Sequence, residues 1–188
     1  MTRAYSPIPE LNLLKEFEER IGPVYYSDGF ELMEYGGGAS AGTWSEDPEF
    51  LGRLIPFAQA NGSGSEYAVW RCDDRADLAT LPVVLLGDEG ELYVIAADLR
   101  ELFRLLAVDS EPLVDIGFLA AAVSEPEGGE GEGRQHSQGH REFLVWLEET
   151  FGLRPPSPED LRALWDGRKE LDARFRAWAG RFVELHEN

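Results

Sequence analysis

Two consecutive segments, LIPFAQANGSGSEYAVWRC from Leu54 and LPVVLLGDEGELYVIA from Leu81, constrain the fold of this chain more than any other feature. Each sets apolar runs on either side of a short cluster of turn-forming residues. In the first, Asn61, Gly62 and Gly64 separate a run ending near Ala58 from Tyr67–Trp70. In the second, Gly87-Asp88-Glu89-Gly90 separates Val83–Leu86 from Leu92–Ile95. Apolar segments of this kind, joined by a few residues that tolerate positive φ, read as antiparallel hairpins. Pro82 stands at a strand start, where its missing N–H is tolerated.

Helical patterns flank this β region. In PELNLLKEFEERIG, Pro9 suits the first turn, Leu11, Leu14, Phe17 and Ile21 recur at helical spacing, and Gly22 suits the end. After the strands, Asp98 and Glu101 resemble a capping box ahead of an apolar stripe of Leu99, Leu102, Phe103 and Leu106. EPLVDIGFLAAAV reads as a further small-residue helix. REFLVWLEETFG carries Phe143, Leu147 and Phe151 on one stripe. In the last helix Ser157 is the N-cap, Pro158 the first residue and Asp160 the box partner, with Leu161, Leu164, Trp165, Phe175, Trp178 and Phe182 apolar. SDGFELMEYGGG is ambiguous: a short helix capped by Ser27 or Asp28, or a hairpin with an Asp-Gly turn. The order of helices, antiparallel strands and helices predicts an α+β fold, a mostly antiparallel sheet with N- and C-terminal helices packed on it. Residues 1–188 are expected to form one domain. Residues 125–140, rich in Gly and Glu with no apolar anchor, are expected to be a flexible acidic loop.

Composition bounds the function classes. At 43% hydrophobic, with 5 Trp, 10 Phe and 6 Tyr, the chain can bury a core without staples. The single Cys72 forms no internal disulfide and reads as a small hydrophobe. Asp and Glu number 36 against 17 Lys and Arg, a formal charge of −19. Such a surface repels phosphate backbones and anionic membranes and attracts basic proteins. The N-terminus has no secretory pattern and no run suits a membrane span, so the expected location is cytoplasmic.

Four motifs invite chemistry and fall short of it. Ser63 has glycines at the adjacent positions rather than two residues away, and a strand follows instead of a helix, so a turn is favoured over a nucleophile elbow. GGASAGT, Gly37 to Thr43, has Walker A glycine spacing without the lysine and reads as a flexible connection. His136 and His140 have the i, i+4 spacing of a helical metal pair, but the surrounding glycines argue against a helix and no third ligand is evident. They read as part of a solvated loop. GDEGE, Gly87 to Glu91, is too short for an EF-hand loop. No catalytic, metal or cofactor residue is therefore assigned. Trp44, between a glycine run and SEDPE, reads as an aromatic on an irregular segment, a position suited to an interaction anchor.

The block Ile55–Ala58, Asn61–Gly64, Tyr67–Trp70, Pro82–Leu85, Asp88–Gly90 and Leu99–Leu106 resembles the SUKH superfamily, which includes bacterial toxin-immunity proteins and a yeast cell-wall synthesis regulator. GFELMEYGGG is similar to the short helix and glycine pair that precede that block, which selects the helix reading there. The resemblance covers roughly residues 27 to 107. The N-terminal helix start and the acidic insertion depart from the pattern. The resemblance implies a SUKH-like α+β domain without a shared catalytic site, whose bacterial members bind and neutralise a cognate toxin. Many such toxins are basic nucleases, which gives the acidity a use. The expected function is thus a non-enzymatic immunity protein bound to a basic toxin domain. The alternatives are a regulatory or scaffold protein of the same fold, and more remotely a small-substrate hydrolase. A toxin gene beside this one separates the first two. A pocket joining Ser63, a histidine and a carboxylate would revive the third. Core-forming faces being occupied, the expected contact residues lie on turns and irregular segments: Trp44, Glu46, Asp47, Asn61, Ser63, Glu66, Asp88 and Glu89.

Overall fold

The computed structural model describes residues 4–37, 40–60, 62–88, 90–110 and 136–184. The expected helix over 111–123, most of the expected flexible loop (125–135), Asn61 and Glu89 lie outside them. The fold is α+β. Its elements run α1 (Pro9–Ile21), β1 (Glu31–Leu32), α2 (Ser40–Trp44), α3 (Pro48–Arg53), β2 (Leu54–Gln59), β3 (Glu66–Trp70), β4 (Val83–Leu86), β5 (Leu92–Ala96), α4 (Leu99–Leu106), α5 (His140–Phe151) and α6 (Pro158–Ala179). The strands form one antiparallel sheet in the order β1-β2-β3-β4-β5. Among the described residues, no helix is long and apolar enough to cross a membrane.

Both hairpins form as the turn residues dictate. Gly64 takes φ 121° and Gly90 φ 103° in the two connections, a region disfavoured for residues with a Cβ. The sheet is covered on both faces, and the two-residue period of a strand sorts its side chains between them. Tyr67, Val69, Val83, Leu85 and Ile95 join Leu11, Leu14 and Phe17 of α1, Leu102 and Phe103 of α4, and Phe143 and Trp146 of α5. Ala68, Trp70, Val84, Leu86 and Val94 point the other way, to Phe50 of α3 and Phe175 and Ala179 of α6. Aromatic rings fill much of both layers: Phe143 lies 5.0 Å from Tyr26, and Trp70 5.1 Å from Phe175, between centroids.

The helix ends follow their caps. Gly22 (φ 78°) closes α1. The Asp98 carboxylate accepts from the Glu101 N–H at 2.8 Å, and Ser157 and Asp160 form a reciprocal box at the start of α6.

The α6 helix also closes the β5 edge. The Asp172 carboxylate accepts from the Val94 N–H at 2.8 Å, and the Arg168 guanidinium donates to the Ile95 carbonyl. Two helical side chains thus take the hydrogen bonds that another strand would make. Arg168 is buried, and the carboxylates of Glu101 and Asp172 face its charge.

Three expectations are corrected. Residues 30–33 do not form a helix. Glu31 and Leu32 pair with Gln59 and Ala58, and the Met33 N–H donates to the Phe57 carbonyl at 3.0 Å, so edge pairing overrides the short helical pattern. Ser27 is not a cap there: it is buried, and its hydroxyl donates to the Leu106 carbonyl at 2.9 Å. The glycine-rich stretch before Trp44 is not wholly irregular, because Ser40–Trp44 is helical. Trp44 ends that helix and packs, partly buried, against the second core layer.

Candidate functional site

The expected contact residues divide between positions. Glu46 and Asp47 are exposed between α2 and α3, and Asp47 caps α3 by accepting from the Glu49 N–H at 2.8 Å. The α3 helix leads into the start of β2, the end of that strand opposite its turn. Ser63 is exposed on the β2–β3 turn, and the strand β3 follows it. Asp88 is exposed on the β4–β5 turn. Its carboxylate accepts from the Ser65 hydroxyl, and its N–H donates back to that hydroxyl at 3.2 Å, so the two hairpin tips are tied together. Glu66 is the misplaced member: it is 8% exposed within β3, paired across to Gln59 and Leu86, and does not offer its charge freely to a partner. Trp44, as described, is a core-layer residue as much as a surface one.

Beside the tied tips, an open groove of about 540 Å³ runs along the β1 edge. Tyr25, Asp28, Phe30, Glu31, Gln59 and Ser137 line it, and Gly62 joins it to the β2–β3 turn. Two carboxylates and an exposed tyrosine thus face one concavity.

One wall of the groove leads to a cluster that sequence reading missed. Asp109 follows α4 with φ 54° and is 4% exposed. Its carboxylate accepts from the Ser137 N–H at 2.7 Å, the Ser137 hydroxyl at 2.6 Å and the Asp28 N–H at 2.8 Å. The His136 Nδ1 lies 3.1 Å from Asp109 Oδ2, and the His140 Nδ1 3.8 Å from the same oxygen. The His140 Nδ1 is also 3.3 Å from the Tyr26 carbonyl oxygen. The two imidazoles stack, 4.7 Å between centroids and 8° from parallel. Burial alone would raise the Asp109 carboxyl, but the bonds from Ser137 and Asp28, with His140 nearby, outweigh it and hold it below its ordinary range.

The solvated-loop reading holds for His136, which is exposed on irregular chain, and is corrected for His140. His140 is the first residue of α5 and is 8% exposed. The Gly139 N–H donates to the Tyr25 carbonyl at 2.8 Å, and a Cβ at Gly139 would meet Ile21 and Val24 side chains at 3.2 Å. That glycine serves close packing rather than mobility. The absent third group was Asp109, which lies 27 residues before His136, too far along the chain for any spacing rule to pair them.

The chain matches no protein-family model, no curated protein and no solved structure. Its chemistry must be argued from its own surface. A groove carrying Asp28 and Glu31 suits cationic side chains by simple Coulombic attraction. The Asp109–His136–His140 cluster gathers donor types that bind protons or divalent metals.

Proposed function

We propose that this chain is a non-enzymatic protein-binding module of the SUKH immunity type, acting in the cytoplasm, where it holds a basic toxin domain against its acidic face. The observation that carries the reading is how the charge is distributed. Carboxylates outnumber cations 36 to 17. Of the cations, Lys15, Arg53, Arg75, Arg100, Arg104, Arg154, Lys169 and Arg181 already pair with carboxylates of the same chain. The unbalanced charge is anionic and includes Asp28 and Glu31 in the groove. The sheet, closed on both faces by helices, supplies a rigid frame for that surface, as preorganised binding requires. The contact surface on this reading is the groove with the hairpin tips around Ser63 and Asp88, with Glu46 and Asp47 adding to the long-range field.

The test takes the products of the genes beside this one: a basic toxin domain among them should bind, and its association rate is measured against ionic strength. Raising salt from about 10 mM to about 150 mM should slow association by at least about tenfold, while dissociation changes little. The pair D28K and E31K, together, should lower the rate at low salt by a similar factor. An association rate indifferent to salt would refute an electrostatic toxin-binding face.

A further inference from the structure

We propose that Asp109, His136 and His140 form a binding site for a single zinc ion. This does not depend on the toxin-binding reading. Two imidazoles and a carboxylate are a donor set that suits zinc. Zinc bonds of about 2.0–2.2 Å at tetrahedral angles put neighbouring donors about 3.3 Å apart. Here the Asp109 oxygen is 3.1 Å from one imidazole nitrogen and 3.8 Å from the other. One donor atom from each residue fits within 4.8 Å of the others. The stacked rings must turn to aim at one ion. His136, whose side chain is 45% exposed, has room to do so.

The surroundings are those of a supported ligand. Ser137 and Asp28 donate to the Asp109 carboxylate from outside the cluster, which fixes its orientation in the manner of outer-shell partners at metal sites. The Tyr26 carbonyl adds another oxygen facing His140. A plain structural tie accounts for the donors from Ser137 and Asp28. It also takes in His136 at 3.1 Å, but not the second imidazole, whose Nδ1 lies 3.8 Å from the same oxygen, too far for a hydrogen bond to it. Without metal, the His136 Nδ1 can hydrogen-bond Asp109 and the His140 Nδ1 the Tyr26 carbonyl. Zinc would bind the Nδ1 lone pair of each ring; a neutral imidazole then holds its single proton on Nε2, and only a ring that starts as imidazolium loses a proton to solvent. Three protein ligands leave a fourth position for water or for a side chain brought by a partner.

The full-length chain, stripped with a chelator and dialysed, should take up one equivalent of zinc by calorimetry. It should gain visible d–d absorption with cobalt and melt at a higher temperature when zinc is present. H136A, on the exposed side of the cluster, should weaken zinc binding by at least about tenfold without changing the fold, and H140Q should do the same. H186A should bind zinc as the unaltered chain does. No uptake from about 100 μM zinc would overturn the proposal, since a site that fails there is over a thousandfold weaker than most structural zinc sites. Unchanged affinity in a correctly folded H136A would overturn it as well.

Discussion

Asp109 joins three segments that are far apart in sequence, and removing its carboxylate should be costly. Its side chain receives the Asp28 N–H, the Ser137 N–H and the Ser137 hydroxyl, all at 2.8 Å or less. A hydrogen bond to a charged acceptor is worth about 1.5–3 kcal/mol, and the low end applies to Asp28, which is at the surface. In D109A, loss of these three bonds should cost at least about 4.5 kcal/mol. The left-handed φ of 54° adds about 1 kcal/mol, because alanine tolerates that region less well than Asp or Asn. D109N keeps the backbone preference and one acceptor oxygen, so about 1–2 kcal/mol is expected. For a urea slope of about 2 kcal/mol per molar, the midpoints should fall by at least about 2.7 M and by about 0.7 M respectively. Urea titrations followed by tryptophan fluorescence, with a chelator present throughout, measure both. A midpoint shift under about 0.5 M for D109A would refute the claim that this carboxylate ties α4 to the start of α5.

Glu18 is largely buried. Desolvation raises its carboxyl above the ordinary range, only partly offset by the Tyr26 hydroxyl that donates to it at 3.0 Å. A raised acid costs native stability once ionised, and the cost disappears as pH falls through its native value and then its unfolded one. E18Q should therefore gain stability relative to the unaltered chain at pH about 7, and the gain should shrink towards pH about 4. The exposed control E19Q should show less of this trend, and equal pH trends in the two would remove burial as the cause. F175A should lose about 3–5 kcal/mol in the same titrations, because Phe175 is fully buried between the sheet and α6 and packs on Trp70 and Trp178. A loss below about 1.5 kcal/mol would mean that the second layer is loosely packed.

The parts of the fold that were legible are those set by local chemistry. Pro9, Gly22, Asp98, Ser157 and Gly152 mark helix ends by the conformations and caps they permit, and each does so in the structure. The turn clusters identified both hairpins. Covering of the sheet on both faces was not drawn from the sequence, although the unbroken apolar run Val83–Leu86 carries that signal, since a strand with one wet face would alternate. Residues 30–33 misled because strand pairing is a property of two segments: nothing within GFELMEY announces that Gln59 lies alongside. Trp44 misled because neighbouring glycines suggest irregular chain while the aromatic ring packs on the second core layer. The histidine cluster escaped for the same long-range reason. Its carboxylate comes from the end of α4, and the glycines beside the histidines looked like slack when at least Gly139 is a tight fit.

The long last helix has two duties that cannot be separated. It shields the apolar second face through Phe175 and Ala179, and it occupies the β5 edge through Arg168 and Asp172. Peeling it away would bare a greasy surface and an unpaired strand in the same event. Those two exposures together are what a second molecule needs to add its own strand and propagate an aggregate. The hazard of this protein is therefore concentrated at its C-terminal side. Proteolytic nicking near Pro155 and Pro156, or truncation of the last helix, should turn a highly charged surface into a self-complementary one, and its acidity would be the remaining brake on assembly.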